Sequence, residues 1–225
     1  MKKNKNASRN LVIYTLVLVA LFVLLFLLSN MSEKTGDGSS TDTPVPIENQ
    51  PVLGDANAPV TIVEFGDYKC PSCKAWGEQL FPRLKEEYID TGKVKFSYRN
   101  VLFHGEESSL AALAAESVFA QDQEAFWIFH KELFNRQPEQ QSHDDMWVTS
   151  DIMLDIAMEF TSIDADLLES DIQNSTYLEE VSMDSKLGET YNVQQTPTIF
   201  INGTMLDNPF DYEALTSIIE KELGE

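Results

Sequence analysis

A four-residue motif with two cysteines, C-P-S-C at 70–73, constrains the fold of this chain more than any other part of its sequence. The preceding residues 59–65 (PVTIVEF) are mostly β-branched or aromatic and predict a buried strand. Helical periodicity runs from residue 71 to about 88, with a kink expected at Pro82 because proline interrupts the hydrogen bonds of a helix. Residues 94–101 (VKFSYRNV) predict a second strand. The cysteines therefore lie at the strand-to-helix turn of a βαβ unit.

The rest of the folded region predicts a block of helices, then a strand and a closing helix. Apolar stripes at helical spacing run through residues 106–192. A third strand is predicted within 196–203 (TPTIFING), and an amphipathic helix from 210 to 223. The predicted fold class is α/β, a small mixed sheet interrupted by a helical insertion over about 106–192.

The N-terminal thirty residues predict a membrane anchor. Residues 1–10 hold four basic and no acidic side chains, and residues 11–28 hold no charge. Eighteen helical residues extend roughly 27 Å, close to the hydrocarbon thickness of a bilayer. We therefore expect a transmembrane helix over 11–30, with 1–10 as a cytoplasmic basic segment. A cleaved signal peptide is the alternative, and both interpretations place the folded domain outside the cytoplasm.

The composition changes again between this segment and the folded region. Residues 31–49 are rich in Ser, Thr, Gly, Asp and Pro and predict a flexible stalk. The folded domain is expected to span 50–225. Together with the anchor, this organisation predicts a single-pass cell-membrane protein with an extracytoplasmic domain.

The charge and the cysteine count exclude several classes of protein. The chain has 37 acidic and 16 basic residues, a net charge of −21, which excludes nucleic acid as a partner because phosphate binding needs a basic surface. Only two cysteines in 225 residues exclude a small disulfide-stapled fold.

The C-P-S-C motif has three possible interpretations. A zinc site would need four ligands, and no second pair with ligand spacing is present. A structural disulfide is possible, although so short a loop restrains the unfolded chain weakly. A redox-active dithiol is favoured by position, because a thiolate at residue 70 would be stabilised by the N-terminus of the following helix. Lys69 and Lys74 flank the motif and would also favour a thiolate.

The chain resembles the DsbA family of thioredoxin-fold thiol–disulfide oxidoreductases in three features. The C-P-S-C motif follows a strand that contains Glu64, a helical insertion comes next, and Thr196-Pro197 precedes a later strand. The resemblance is strongest to the membrane-anchored Gram-positive members, and it covers the anchor and the domain from Gln50 onward. The stretches 51–74, 94–105 and 194–203 resemble the family most. Ser72 departs from the best-known pattern, which has histidine there, so stabilisation of a thiolate would rest on the helix dipole and the backbone.

The resemblance implies a role for each residue of the site. Cys70 resembles the cysteine that exchanges with substrate thiols, and Cys73 its buried partner. Pro197 matches the family's cis-proline, and Thr196 would offer backbone hydrogen bonds to the bound chain. Glu64 matches a buried acid that relays a proton to or from Cys73; the alternative is an edge-strand acid that faces water.

The resemblance also implies a bound calcium ion away from the dithiol. The matching positions are Gln50, Glu116 and Asp184. Hard oxygen ligands suit calcium. The alternative is that Glu116 and Asp184 face solvent on helices, and no contiguous loop with calcium-ligand spacing is present.

These observations predict an extracytoplasmic thiol–disulfide oxidoreductase that introduces disulfide bonds into secreted or membrane-exposed proteins through a redox-active Cys70–Cys73 disulfide. The family implies reduced, unfolded proteins as substrates and a DsbB-like, quinone-linked thiol oxidase of the membrane as the partner that restores the disulfide. Two alternatives stay open. One is a thioredoxin-like reductase or isomerase that uses the same residues, and the other is a non-enzymatic metal-binding ectodomain.

Overall fold

The computed structural model describes residues 14–19, 21–23, 43–139 and 145–224. Within the domain these residues form a five-stranded sheet, whose strands are β1 (Val52–Leu53), β2 (Val60–Gly66), β3 (Val94–Asn100), β4 (Thr198–Ile201) and β5 (Thr204–Met205). The α-helices of the domain are α1 (Pro71–Gln79), α2 (Phe81–Leu84), α3 (Glu106–Gln121), α4 (Gln123–Arg136), α5 (Ser150–Phe160), α6 (Ala165–Asn174), α7 (Leu178–Thr190) and α8 (Tyr212–Leu223).

The sheet has the strand order β1-β3-β2-β4-β5, with β2 at its centre. β2 and β3 are parallel, since the helical segment between them returns the chain to the same end of the sheet. β4 pairs antiparallel with the other side of β2, and β1 and β5 are antiparallel edge strands of two residues each. The carboxyl end of β2 therefore opens into the turn that carries the cysteines.

Alternate residues of β2 supply two layers of the core. Val60 and Ile62 point to the face covered by α1 and α8, where Trp76 and Leu215 are fully buried. Phe65 points to the opposite face, where it joins a second buried cluster. Since β2 is covered on both faces, its sequence is a nearly continuous apolar run.

The helix predicted over 71–88 is divided in the structure. α1 ends at Gln79, α2 follows from Phe81 with Pro82 in its first turn, and a π-helical turn continues over Lys85–Ile89. Proline fits the first turn of a helix because the amide hydrogens there have no partner within the helix. The interruption expected at Pro82 therefore occurs just before it, at Leu80.

The helical insertion packs as a separate layer against the active-site end of the domain. Its buried residues, Phe129, Leu133, Met153 and others, form one cluster with the two cysteines. Within the predicted insertion, α6 and α7 are separate helices, because Ser175 takes a left-handed conformation with φ 50° and ends α6. The thioredoxin-like α/β fold with inserted helices is confirmed.

The predicted transmembrane helix over 11–30 is wrong, and so is the single-pass membrane localisation inferred from it. No helix in the described part of the chain is long and apolar enough to cross a membrane. Helical conformation is described there only at 14–19 and 21–23. The basic segment predicted over 1–10 lies outside the described residues.

The end of the predicted stalk packs on the domain. Residues 31–42 lie outside the described residues, whereas Val45 is buried at 4% exposure. The Tyr191 hydroxyl donates to the carbonyl oxygen of Pro44 at 2.8 Å, and the Arg99 guanidinium donates to that of Pro46. The packed part of the chain thus includes residues upstream of Gln50.

Candidate active site

The cysteines lie at the N-terminus of α1, as the spacing predicts. Cys70 is the N-cap residue, with an extended backbone, and Pro71 occupies the first helical position. The Cys70 carbonyl oxygen accepts the first helical bonds, from the amides of Cys73 at 3.1 Å and Lys74 at 3.3 Å. Both cysteines are buried and both are free thiols, so the structure represents the reduced form.

The environment of Cys70 strongly favours its thiolate. The pKa of this thiol is lowered from 9.0 to about 5, chiefly by a hydrogen bond from the Cys73 thiol, with further hydrogen bonds from Thr196 and from the backbone of Ser72 and Cys73. Burial opposes this effect but does not cancel it. At neutral pH Cys70 is therefore predominantly ionised and nucleophilic.

The Thr196-Pro197 segment comes from the far end of the chain to lie beside Cys70. The peptide bond between these residues is cis. The carbonyl oxygen of Thr196 is 3.4 Å from the Cys70 sulfur. The hydroxyl of Thr198 donates to the Gln195 carbonyl oxygen at 2.7 Å and closes the turn. Thr196, which is 126 positions from Cys70 in the sequence, is thus in contact with it, and Pro197 is the next residue.

Glu64 lies under the active-site helix, in the middle of the sheet. It is 3% exposed and pairs with Tyr98 of β3 on one side and Ile199 of β4 on the other. Its Oε1 has no hydrogen-bond partner in the part of the chain that the structure describes. Burial, and then the charge of Cys70, raise the pKa of Glu64 well above its usual value. The alternative of a water-facing acid on an edge strand is therefore wrong.

Cys73 differs from Cys70 in its electrostatics. Its pKa is raised well above the ordinary value, first by burial, then by the hydrogen bond to Cys70 and the charge of Glu64. The two sulfurs of one motif are therefore unequal: one is an ionised nucleophile, and the other holds its proton. Glu64 is close enough to influence both.

Asp67 organises the turn before Cys70, a role that the sequence does not reveal. Its Oδ1 accepts from the amide of Lys69 at 2.9 Å. Its Oδ2 accepts from the amide of Phe103 at 3.0 Å and the hydroxyl of Ser108 at 2.8 Å, and lies 2.7 Å from His104 Nδ1. An acid directly after a buried strand and before the motif is the only sequence signal for this role.

Both lysines that flank the motif bind the insertion. Lys69 forms a buried ion pair with Glu107 of α3. Lys74 donates to the carbonyl oxygen of Gln137 at 2.7 Å, and the Gln137 side-chain amide donates to that of Tyr68 at 3.0 Å. The lysines therefore hold the turn against the helices, and neither is among the causes of the lowered pKa of Cys70.

The residues predicted as calcium ligands meet at the end of β3. Asp184 is fully buried, pairs with Arg99 at 2.6 Å and accepts from the Asn100 amide at 2.9 Å. Glu116 accepts from the Asn100 side chain at 2.8 Å, and the Gln50 side-chain oxygen accepts from the Arg99 guanidinium at 3.0 Å. The alternative of solvent-facing acids on helices is wrong, because Glu116 is only 4% exposed.

Two features of this cluster bear on its fit to a cation. Burial and the nearby charges of Asp184 and Glu180 raise the pKa of Glu116 to about 8. Asn100 Oδ1 and Glu180 Oε2 are buried acceptors with no partner in the described residues. However, no group of three His, Cys, Asp or Glu side chains is arranged to hold a metal within those residues.

The comparison with known families agrees with the fold and with this site. A family model described as thioredoxin matches residues 47–221. The chain therefore belongs to the thioredoxin family, and its inserted helices and helix-terminal dithiol place it among the DsbA-like thiol–disulfide oxidoreductases.

Individual relatives narrow the class. Disulfide bond formation protein D of Bacillus subtilis (strain 168) is 44% identical over 193 residues, 85% of this chain and 86% of that protein. A probable disulfide bond formation protein D of Bacillus cereus is 35% identical over 224 residues, 99% of each chain. These relatives confirm the predicted resemblance and the expected activity of a disulfide-forming oxidoreductase.

Solved structures support the same conclusion. The crystal structure of oxidised BdbD from Bacillus subtilis matches with a TM-score of 0.79 at 44% identity, covering 84% of this chain and all of that chain. DsbA from Chlamydia trachomatis matches with a TM-score of 0.70 at 22% identity, over 82% and 96% of the respective chains, and shows the fold alone.

Proposed function

We propose that this chain oxidises pairs of thiols in reduced, unfolded secreted polypeptides, with a disulfide between Cys70 and Cys73 as the oxidant. One observation supports this direction above all. The Cys70 thiolate is stabilised, with a pKa of about 5, and a stabilised thiolate favours the reduced form of the enzyme. A disulfide whose reduced form is favoured is readily given to another protein.

The reaction proceeds as two exchanges at sulfur. A substrate thiolate attacks the Cys70 sulfur of the oxidised enzyme, so that a mixed disulfide forms and Cys73 leaves as a thiolate that takes up a proton. A second substrate thiolate then attacks the substrate sulfur of the mixed disulfide, and Cys70 leaves as its stabilised thiolate. The substrate loses two electrons and gains one disulfide, and the enzyme disulfide is reduced to two cysteines.

Glu64 and Thr196 act on these steps from opposite sides. Burial keeps the Glu64 carboxyl protonated well above its usual range, so it can supply the proton that Cys73 needs as a leaving group. The Thr196 carbonyl oxygen, next to Pro197 and 3.4 Å from the Cys70 sulfur, can accept an amide hydrogen of the bound chain.

Reoxidation needs a two-electron oxidant, because each turnover leaves Cys70 and Cys73 as a reduced dithiol. A DsbB-like, quinone-linked thiol oxidase of the membrane would accept the two electrons of the dithiol. This partner is taken from the family resemblance, and its chemistry completes the cycle.

The function is tested by oxidation of reduced, unfolded ribonuclease with the purified oxidised protein. Cys70→Ala and Cys73→Ala should each abolish net oxidation, and full activity in either variant would overturn the proposal. The redox potential against glutathione separates the alternative: a value below about −230 mV indicates a reductase, and one well above about −180 mV an oxidase. Slow alkylation of Cys70 at pH 5 would indicate the non-enzymatic alternative.

We also propose that Gln50, Glu116 and Asp184 hold a calcium ion. The buried carboxylates and the unpartnered Asn100 Oδ1 are hard oxygen donors of the kind that Ca²⁺ prefers. When bound, the ion would supply positive charge to this cluster of acids. Calcium titration by calorimetry should show binding to the full chain and weaker binding to Glu116→Gln. If neither the wild-type chain nor Glu116→Gln gives a binding heat with calcium, the site is refuted.

A further inference from the structure

A cavity of about 350 Å³ lies beside the first two turns of α1. One face of the helix, with Pro71, Lys74, Ala75 and Glu78, forms one wall, and the segment 137–139 forms the other. A second cavity, of about 220 Å³, lies against Pro197 and shares no lining residue with the first. Since Pro71 directly follows Cys70, the first cavity adjoins the nucleophile on the side of the insertion.

The walls of this cavity combine apolar surface with acidic groups. Pro71, Ala75 and Pro138 provide apolar surface, while Glu78 and Glu139 are exposed carboxylates. Lys74, the one basic side chain among the described lining residues, donates to the Gln137 carbonyl oxygen at 2.7 Å and lies 3.7 Å from Glu78. Its single charge therefore offsets only one of the two carboxylates.

Hydrogen bonds hold Gln137 in the wall of this cavity. It is 2% exposed, and its side-chain nitrogen is occupied by the Tyr68 carbonyl oxygen. Its Oε1 accepts no hydrogen bond from any residue that the structure describes. The described lining of the cavity combines apolar surface, two carboxylates at its edge and a surplus of negative charge.

We propose that this cavity binds a lysine or arginine side chain of the substrate, located within about two residues of the reacting cysteine. The aliphatic stem would lie on the two prolines and Ala75, and the charged head would donate to the carboxylate of Glu78 or Glu139. An extended chain advances about 3.3 Å per residue, so a neighbour of the reacting cysteine can reach the cavity. The inference rests on the proposed function and adds a substrate preference to it.

The test uses four short peptides that differ only at the position after a single cysteine, with Lys, Gln, norleucine or Glu there. Each is mixed with the oxidised wild-type protein, and the rate of mixed-disulfide formation is measured by acid quench and mass spectrometry. A lysine also makes the neighbouring peptide thiol more acidic. Each rate is therefore divided by the rate of the same peptide with oxidised glutathione.

We expect the Lys peptide to react about three- to tenfold faster than the Gln peptide after this correction, and the Glu peptide to react more slowly. The advantage should shrink when salt is raised from about 0.05 to about 1 M. Glu78→Gln and Glu139→Gln should each reduce it, and the double variant should remove it. Glu213→Gln, at an exposed acid on α8, matches the change in net charge and should leave it intact.

The outcomes separate the subsite from the reaction itself. Equal corrected rates for the Lys, Gln and norleucine peptides overturn the subsite, while formation of a mixed disulfide by the Gln peptide still agrees with the proposed function. A Lys advantage that survives the double variant, or disappears equally in Glu213→Gln, assigns the effect to overall charge and also overturns it. Failure of every peptide to form a mixed disulfide refutes the proposed function.

Discussion

The hydrogen bond between the two cysteines predicts how Cys70 responds when its neighbour is removed. The Cys73 thiol is the largest cause of the lowered pKa of Cys70 in the reduced protein. Replacing it by alanine removes the donor and leaves the helix N-terminus and Thr196 in place. Cys73→Ser keeps a donor at the same position and is the matched control.

The magnitude follows from the energy of such a bond. A hydrogen bond to a charged group contributes about 1.5–3 kcal/mol, and about 1.4 kcal/mol corresponds to one pH unit. Cys73→Ala should therefore raise the pKa of Cys70 from about 5 to between about 6 and 7. Cys73→Ser should remain near the value of the reduced wild-type protein.

The assay is the absorbance of the thiolate at 240 nm between pH 3 and 9, checked by the pH dependence of alkylation with iodoacetamide. Each single-cysteine variant has one thiol, so the titration belongs to Cys70 alone. If Cys73→Ala and Cys73→Ser give the same midpoint near pH 5, the neighbouring thiol is not the cause. Stabilisation would then rest on the backbone of the helix N-terminus.

Three further predictions concern pH dependence and stability. The reduction potential of the Cys70–Cys73 disulfide should fall by about 30 mV per pH unit above pH 5 and by about 59 mV per pH unit below it. Below its pKa of about 5, Cys70 takes up a proton on reduction as Cys73 does, whereas above it only Cys73 does. A single slope from pH 3 to pH 7 would contradict this prediction. Glu64→Gln should raise the free energy of unfolding at pH 7 by about 1–3 kcal/mol in urea titrations, because a carboxyl whose pKa is raised by folding stabilises the fold less as pH rises. The gain should vanish near pH 4, where the carboxyl is protonated in the folded and in the unfolded protein. An equal gain at pH 4 and pH 7 would refute this cause. Glu107→Ala should lower the free energy of unfolding by about 3–5 kcal/mol, because the carboxylate that pairs with buried Lys69 and accepts from the amides of Trp147 and Val148 is removed. A loss below about 1 kcal/mol would show that water replaces the carboxylate.

The parts of the fold that follow from sequence are those with a local signal. The run PVTIVEF and the motif after it predict β2, the turn and α1, because strand periodicity and a proline at the first helical position act over a few residues. The resemblance to a known family adds what periodicity cannot, the pairing of Thr196-Pro197 with a cysteine 126 residues away. Local periodicity and the family resemblance both depend on patterns that are present in the amino-acid sequence.

The features that the sequence does not predict are contacts between distant residues, made by one of many residues of the same type. The chain has 37 acidic side chains, and nothing local distinguishes Asp67 and Glu107, which are buried and bonded to the active-site turn, from acids that face water. Hydropathy predicted a spanning helix over 11–30 from composition alone. The attachment of Pro44 and Val45 to the domain was equally hidden, because a Pro-rich segment has no periodicity to indicate a partner.

The bonds of Asp67 and of the two lysines determine how far the C-P-S-C motif could be moved to another protein. The turn that holds it is tied at three points to residues of the insertion: Ser108, Glu107 and Gln137. A minimal thioredoxin scaffold given the same four residues would lack all three contacts, and adding Lys69 as well would introduce a lysine without the carboxylate of Glu107. The four residues are therefore not sufficient to reproduce this nucleophile in another protein, and the helical insertion has to be transferred together with them.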